Sequence, residues 1–145
     1  MEASGLEHLS GAVLPEGSFT IAADENRRLA ALLGAEPDDG GLAHPLYGYV
    51  AAQRGIGIGV EGLLAMADFP IADGPMLGSC RLEYERPLRV GVPYRVTGEI
   101  AGIERKSGRK AGTFDVLTVR ETLTEPDGAR AAAVANVFIL PRRAA

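Results

Sequence analysis

The sequence has one cysteine, Cys80, and two histidines, His8 and His44, among 145 residues. A single thiol precludes an internal disulfide, excludes a four-cysteine zinc site and suits a reducing cytoplasm. Two histidines without clustered cysteines make no metal site, and nothing else in the chain asks for a cofactor. Long apolar runs are also missing. No stretch reaches ~18 apolar residues without glycine or charge, and the amino-terminal residues lack the charged-then-apolar pattern of a secretion signal. Basic residues are outnumbered, 15 against 19 acidic, for a net charge of −4. That balance argues against nucleic acid and anionic membranes as partners. The glycines at 55, 57 and 59 do not form a phosphate loop, because no Gly-Lys-Ser/Thr ending follows them. The expectation is a soluble, cytoplasmic protein.

What is present suffices for one core. With 46% hydrophobic residues, a chain of this length buries about two-thirds of its unfolded surface. Residues 1–17 hold Gly5, Gly11, Pro15 and Gly17 with little periodicity and are expected as an arm; residues 18–141 are expected as one domain and 142–145 as a tail. SFTIAA at 18–23 reads as a strand. A helix follows, with Asp24 as cap, Leu29, Leu32 and Leu33 on one face, and Gly34 as its stop. Glu36 to Gly41 is a loop by its turn chemistry. The stretch from Leu42 to Asp68 is too long and apolar for a strand and is expected as the central helix, entered at Pro45, where a missing N–H does no harm. Its glycines weaken or kink it, and so apolar a helix needs cover on all sides.

The period then changes. MLGSCRLEYE at 76–85, PYRVTGEIAGIER at 93–105, TFDVLTVRETLT at 113–124 and ARAAAVANVFIL at 129–140 are four strand candidates, separated by linkers that each carry glycine. Arg95, Thr97 and Glu99 alternate with Tyr94, Val96 and Ile100, and Asp115 and Glu121 alternate with Phe114 and Val116. This predicts an antiparallel meander with one wet face and one core face. The fold class is α+β, with the sheet curled around the helix.

Four stretches, AHPLYGYV at 43–50, LEYERPLRVG at 82–91, KSGRKAGTFDVL at 106–117 and EPDGARAAAVANVFI at 125–139, occur in this order. Together they resemble the hot-dog fold in its MaoC-like hydratase and dehydratase branch. The likeness is to N-terminal-type dehydratase domains, including subunits of the mycobacterial hydroxyacyl-carrier dehydratases, and spans roughly residues 18–141. It implies a curved antiparallel sheet wrapped around one long central helix, and acyl thioesters of coenzyme A or a carrier protein as substrates. It also implies dimers in which two sheets join edge to edge, with an identical chain or another hot-dog chain. Exposed strand edges need such cover in any case.

Active members of that branch carry an Asp and, five positions later, a His, in a segment Asp-x-Asn-Pro-x-His before the central helix. Here the interval between the first helix and AHP is only Glu36 to Leu42, too short for the usual segment. Asp39 and His44 keep the five-position offset in DGGLAH, without the Asn-Pro. Imidazole trades protons near neutral pH and a carboxylate can fix its tautomer, so the pair is a candidate dyad. The plainer reading makes Asp39 a loop residue and His44 a helix cap. At the helix start, the N–H groups of Leu46, Tyr47 and Gly48 are expected to be free for a thioester oxygen that gains charge, with Gly48 allowing close approach; the plainer reading has them bonded to a cap or water.

Tyr47, Tyr49 and Tyr84 are candidates to line an acyl tunnel or donate a proton, or are core residues with satisfied hydroxyls. Arg105, Lys106, Arg109 and Lys110 make a basic turn able to hold a pantetheine phosphate or an acidic carrier, or a solvated hairpin tip. Cys80 reads as a small core residue. Three functions stand open. The first is a hydro-lyase on β-hydroxy or α,β-unsaturated acyl thioesters. The second is a non-catalytic subunit shaping the acyl tunnel of a catalytic partner. The third is a scaffold reused as a cyclase or isomerase on a polyketide-like intermediate.

Overall fold

Alternation along the second half of the chain builds the sheet. The computed structural model describes residues 5–36, 40–110 and 112–142. Five antiparallel strands are ordered β1-β3-β4-β5-β2: β1 Val13–Thr20, β2 Met76–Tyr84, β3 Pro93–Gly108, β4 Gly112–Thr124 and β5 Arg130–Arg142. β3 and β4 form a long hairpin from Arg95 opposite Thr124 to Gly108 opposite Gly112. β1 begins at Val13, so the stretch expected as an arm runs into the sheet, and Leu9 and Leu14 are buried there. No helix among the described residues is long and apolar enough to cross a membrane.

The helix α1, Ala23–Leu32, differs from expectation at both its start and its buried face. Ala22 occupies the cap position without a side-chain bond, and Asp24 lies inside the first turn. Leu32 and Leu33 are exposed, whereas Asn26 and Ala30 face inward. Gly34 ends the helix as expected, in the left-handed conformation at φ 72°.

The single long central helix is corrected to two. α2 covers Tyr47–Gly55 and α3 covers Gly59–Met66. The cause lies in β1, whose register shifts between Leu14 and Gly17. The backbone there presses against the break: the Gly57 N–H donates to Pro15 O at 2.9 Å. A Cβ at Gly17 would collide with Gly55 O, and one at Gly57 with Glu16 O. The helix gives up a turn of its own bonding so that two backbones can touch, which only glycine permits.

The sheet's inner face is also corrected in one strand. Tyr94, Val96 and Ile100 of β3 are buried as expected, but in β4 the buried residues are Asp115, Leu117, Val119, Glu121 and Leu123. Phe114 and Val116 point the other way and are half-buried. Two apolar clusters fill the concave side. One packs Tyr47, Ala51 and Ala52 of α2 against Leu123, Ala132 and Val134. The other packs Leu63 and Leu64 of α3 against Leu117, Val119 and Phe138. β2 forms one edge of the sheet, and every residue in it except Leu82 is exposed.

Candidate functional site

The entry to α2 is held by a buried amide on α1. Asn26 accepts the His44 N–H on Oδ1 at 2.8 Å and donates from Nδ2 to Leu42 O at 3.2 Å. The Ala43 N–H donates to Leu88 O at 2.8 Å, so the segment is pinned from both sides. Replacing Asn26 by Ala removes both bonds and leaves a half-buried donor and acceptor unpaired. The expected loss is about 2 kcal/mol in urea unfolding, with fast amide exchange at His44 as the local sign; unchanged exchange there would contradict the pinning role.

From that anchor the chain turns into the helix through His44, Pro45 and Leu46. His44 Nδ1 accepts the Leu46 N–H at 3.0 Å. The Tyr47 N–H donates to His44 O at 3.0 Å and the Gly48 N–H to Pro45 O at 3.1 Å. The donors expected to stand free are therefore engaged within the chain, and His44 serves as the cap. With Nδ1 accepting, the neutral ring carries its proton on Nε2 and offers a donor there rather than a lone pair.

Tyr84 closes the tip. Its hydroxyl donates to Pro45 O, and the Gly48 N–H also reaches it. A Cβ at Gly48 would strike the Tyr84 hydroxyl and crowd its ring. Gly48 thus makes room for a phenol from β2, thirty-six residues on in sequence. Burial pushes the Tyr84 hydroxyl up, opposed by the Gly48 amide. Burial likewise raises Tyr47, with Glu25 adding to it. The Tyr49 hydroxyl accepts from Gln53 Nε2 at 3.0 Å.

Beside this tip lies a hollow of about 320 Å³, lined by Ala43, Pro45, Tyr84, Glu85, Arg86, Pro87 and Leu88. Arg86 at its rim is engaged by Glu125 at 2.7 Å and Asp127 at 3.2 Å. A second hollow, about 630 Å³, lies on the convex side of the sheet among Arg81, Glu83, Thr97, Glu99, Arg120 and Thr122. Both hollows have charged residues of each sign in their lining, but the walls of the smaller one, Ala43, Pro45, Pro87 and Leu88, are mainly apolar and meet the Tyr84 phenol. The smaller one is the better seat for a group that is apolar along its length and polar at one end.

Of the residues the sequence singles out, the structure brings His44, Leu46, Tyr47, Gly48, Tyr49 and Tyr84 to one place. Asp39 lies outside the described residues. Arg109 stands in the β3–β4 turn, at the opposite end of the sheet from the start of α2. Arg105 of the basic turn is bonded to Asp115 at 2.8 Å. Cys80, expected in the core, is exposed, because it faces the helix side of an edge strand that no helix covers at that point. Burial raises its thiol and Glu121 adds to that. Sequence reasoning missed Asn26, Glu121 and Asn136. The signal for Glu121 was present: it shares the odd-numbered alternation of Leu117, Val119 and Leu123. Asn26 gave none, since its partners come from another element.

No protein-family model matches the sequence, and no curated protein matches it. Solved structures do match by shape. A chain of the HadBC (3R-hydroxyacyl-ACP dehydratase) complex from Mycobacterium tuberculosis is 13% identical, covering 90% of this chain and 96% of that one at a TM-score of 0.66. A chain of the ChsH1–ChsH2 complex from the same organism is 13% identical, covering 98% and 90% at 0.68. A MaoC-like dehydratase from Rhodospirillum rubrum is 15% identical, covering 94% of each chain at 0.65. The fold is the hot-dog fold, shared in shape with these three structures.

Proposed function

We propose that this chain is the acyl-binding subunit of a hydratase/dehydratase-type lyase. Its substrates are β-hydroxy or α,β-unsaturated acyl thioesters of coenzyme A or a carrier protein, and a second hot-dog chain supplies the proton-transferring pair. The observation that carries this reading is the bond from the Leu46 N–H to His44 Nδ1. Dehydration needs a base for the α-proton and an acid for the departing hydroxyl. A neutral imidazole whose Nδ1 already accepts a hydrogen bond has no basic nitrogen left. What the chain does offer is one donor, the Tyr84 hydroxyl, beside a mainly apolar hollow. Once a thioester carbonyl takes the place of Pro45 O as acceptor, the phenol turns to it and stabilises the charge of an enolate-like state. The matched HadBC and ChsH1–ChsH2 structures are complexes, which supports a partner chain.

The five-position offset of Asp39 and His44 favours a second reading, in which this chain turns over substrate by itself. The two are separated by purifying the chain alone and measuring acyl-coenzyme A binding by calorimetry beside hydration of an α,β-unsaturated acyl-coenzyme A. The expected result is binding without turnover, with Tyr84→Phe weakening binding roughly tenfold, about 1.4 kcal/mol. Turnover by the isolated chain that is abolished by His44→Ala and by Asp39→Ala would replace the first reading with the second.

A further inference from the structure

Beside the Asp115 cluster, the inner face of the sheet carries a second buried polar group that the thioester chemistry leaves unused. Glu121 on β4 is 2% exposed and Asn136 on β5 is 0% exposed. They share one hydrogen bond, from Asn136 Nδ2 to Glu121 Oε1 at 3.3 Å. Asn136 Oδ1 is buried without a partner. Glu121 makes no ion pair among the described residues. Toward the core, β3 offers Gly98, the break between α2 and α3 offers Ile56, and β5 offers Val134 opposite it in register. Arg81, Arg120 and Arg130 line the larger hollow that Glu121 also borders, and Arg81 and Arg130 are paired with Glu83 and Glu85. Cys80 on β2, opposite Asn136, is the titratable group electrostatically coupled to it.

An ionised carboxylate here would be a buried charge with one neutral donor for company, a situation that proteins avoid by neutralising the group. The protonated acid removes both difficulties. It gains an O–H donor, and the acceptor it needs is the unpartnered Asn136 Oδ1. A carboxylic acid and a primary amide side by side close a ring of two hydrogen bonds, amide N–H to acid C=O and acid O–H to amide C=O. The pair lies between the cluster under α2 and the cluster under α3 and belongs to neither.

We infer that Glu121 is held as the neutral acid in a ring of two hydrogen bonds with Asn136. The pair is then a pH-sensitive latch across the seam between the two halves of the core. Burial pushes the Glu121 carboxyl from 4.5 up to about 7, with the Asn136 bond pulling the other way. An acid whose folded value is raised contributes stability that is full below its unfolded value and lost as pH rises through the folded value. The latch is therefore closed at mildly acidic pH and releases across neutrality.

The test is urea unfolding of the full chain from about pH 5 to about pH 8, for the wild type and Glu121→Gln, with a carbon-13 titration of the Glu121 carboxyl in the folded wild type. Gln keeps the shape and both hydrogen-bonding roles without a titrating proton. The folding constant of the wild type relative to Glu121→Gln is expected to fall roughly a hundredfold over that span. Parallel pH profiles of the two proteins overturn the inference. So does a Glu121 carboxyl already ionised at about pH 5 in the folded chain, a reading that stands even if Glu121→Gln fails to fold. Both readouts are independent of thioester binding.

Discussion

Replacing Asp115 by Ala is expected to lower the unfolding free energy by about 3–5 kcal/mol, read as a shift of the urea midpoint at neutral pH. The Asp115 side chain is wholly buried and holds two guanidinium groups. Arg105 binds it through Nε at 2.8 Å and Nη2 at 3.0 Å, and Arg142 through Nε at 2.8 Å. Arg142 then reaches past the carboxylate to the end of α3, where Nη1 donates to Asp68 O at 2.7 Å and Nη2 to Ala67 O. Its guanidinium lies 5.4 Å from the centre of the Phe69 ring. One carboxylate thus ties β3, β4 and β5 to the carbonyl end of a helix, where positive charge is favoured. Without it, two mostly buried cations lose their anion, and the α3 cap loses its orientation. A midpoint shift under about 1 kcal/mol, the range of a surface pair, would mean that the cluster is held mainly by packing.

The same site sets an acid limit. Burial acts to raise the Asp115 carboxyl, but the hydrogen bonds and charges of Arg105 and Arg142 outweigh it and hold the group below its ordinary 3.8. A depressed acid contributes stability above its unfolded value that is lost as pH falls through the folded value. Asp115 thus weakens the fold below about pH 4, and Glu121 weakens it as pH rises toward 7. Maximum stability is expected between the two.

The second large effect belongs to the crossing of β1 and the helix break. Gly17→Ala and Gly57→Ala are each expected to cost roughly 2–4 kcal/mol and to lower the thermal midpoint by roughly 6–12 °C. In both cases the new methyl meets carbonyl oxygens of the other segment's backbone, which cannot swing aside as a side chain can. Accommodation would stretch the bond from the Gly57 N–H to Pro15 O and slide the β1 bulge. Gly102→Ala is the control: there the nearest atom is Ser10 Oγ at 3.9 Å, and a change within about 0.5 kcal/mol is expected. Equal effects at Gly102 and Gly57 would show that the loss comes from helix or strand propensity and not from contact.

The candidate site was partly legible. AHPLYGYV marked the place where the helix begins, because Pro fixes a first-turn conformation and His can cap it. What the residues could not reveal was the occupant of the space above Gly48. Glycine permits a close approach by anything, and the structure supplies Tyr84 from β2. The same holds for Asn26, whose role depends on backbone groups of Leu42 and His44 that no local pattern names.

By itself the sequence determined the strands β2 to β5, the hairpins β3–β4 and β4–β5 and the helical character of most of residues 47–66, because two-residue alternation, turn glycines and helix-forming runs act over a few neighbouring residues. The meander expected to continue from β2 into β3 is corrected, since β2 pairs with β5 at the opposite edge. Only the tertiary structure decided which side of β4 faces inward. Apolar residues lie on both sides of that strand, and the odd-numbered side is chosen because Arg105 and Arg142 neutralise Asp115 and Asn136 receives Glu121. Only the tertiary structure decided, too, that the central helix breaks, since the pressure comes from the β1 backbone about forty residues earlier. Energies that need a distant partner leave no trace in local pattern.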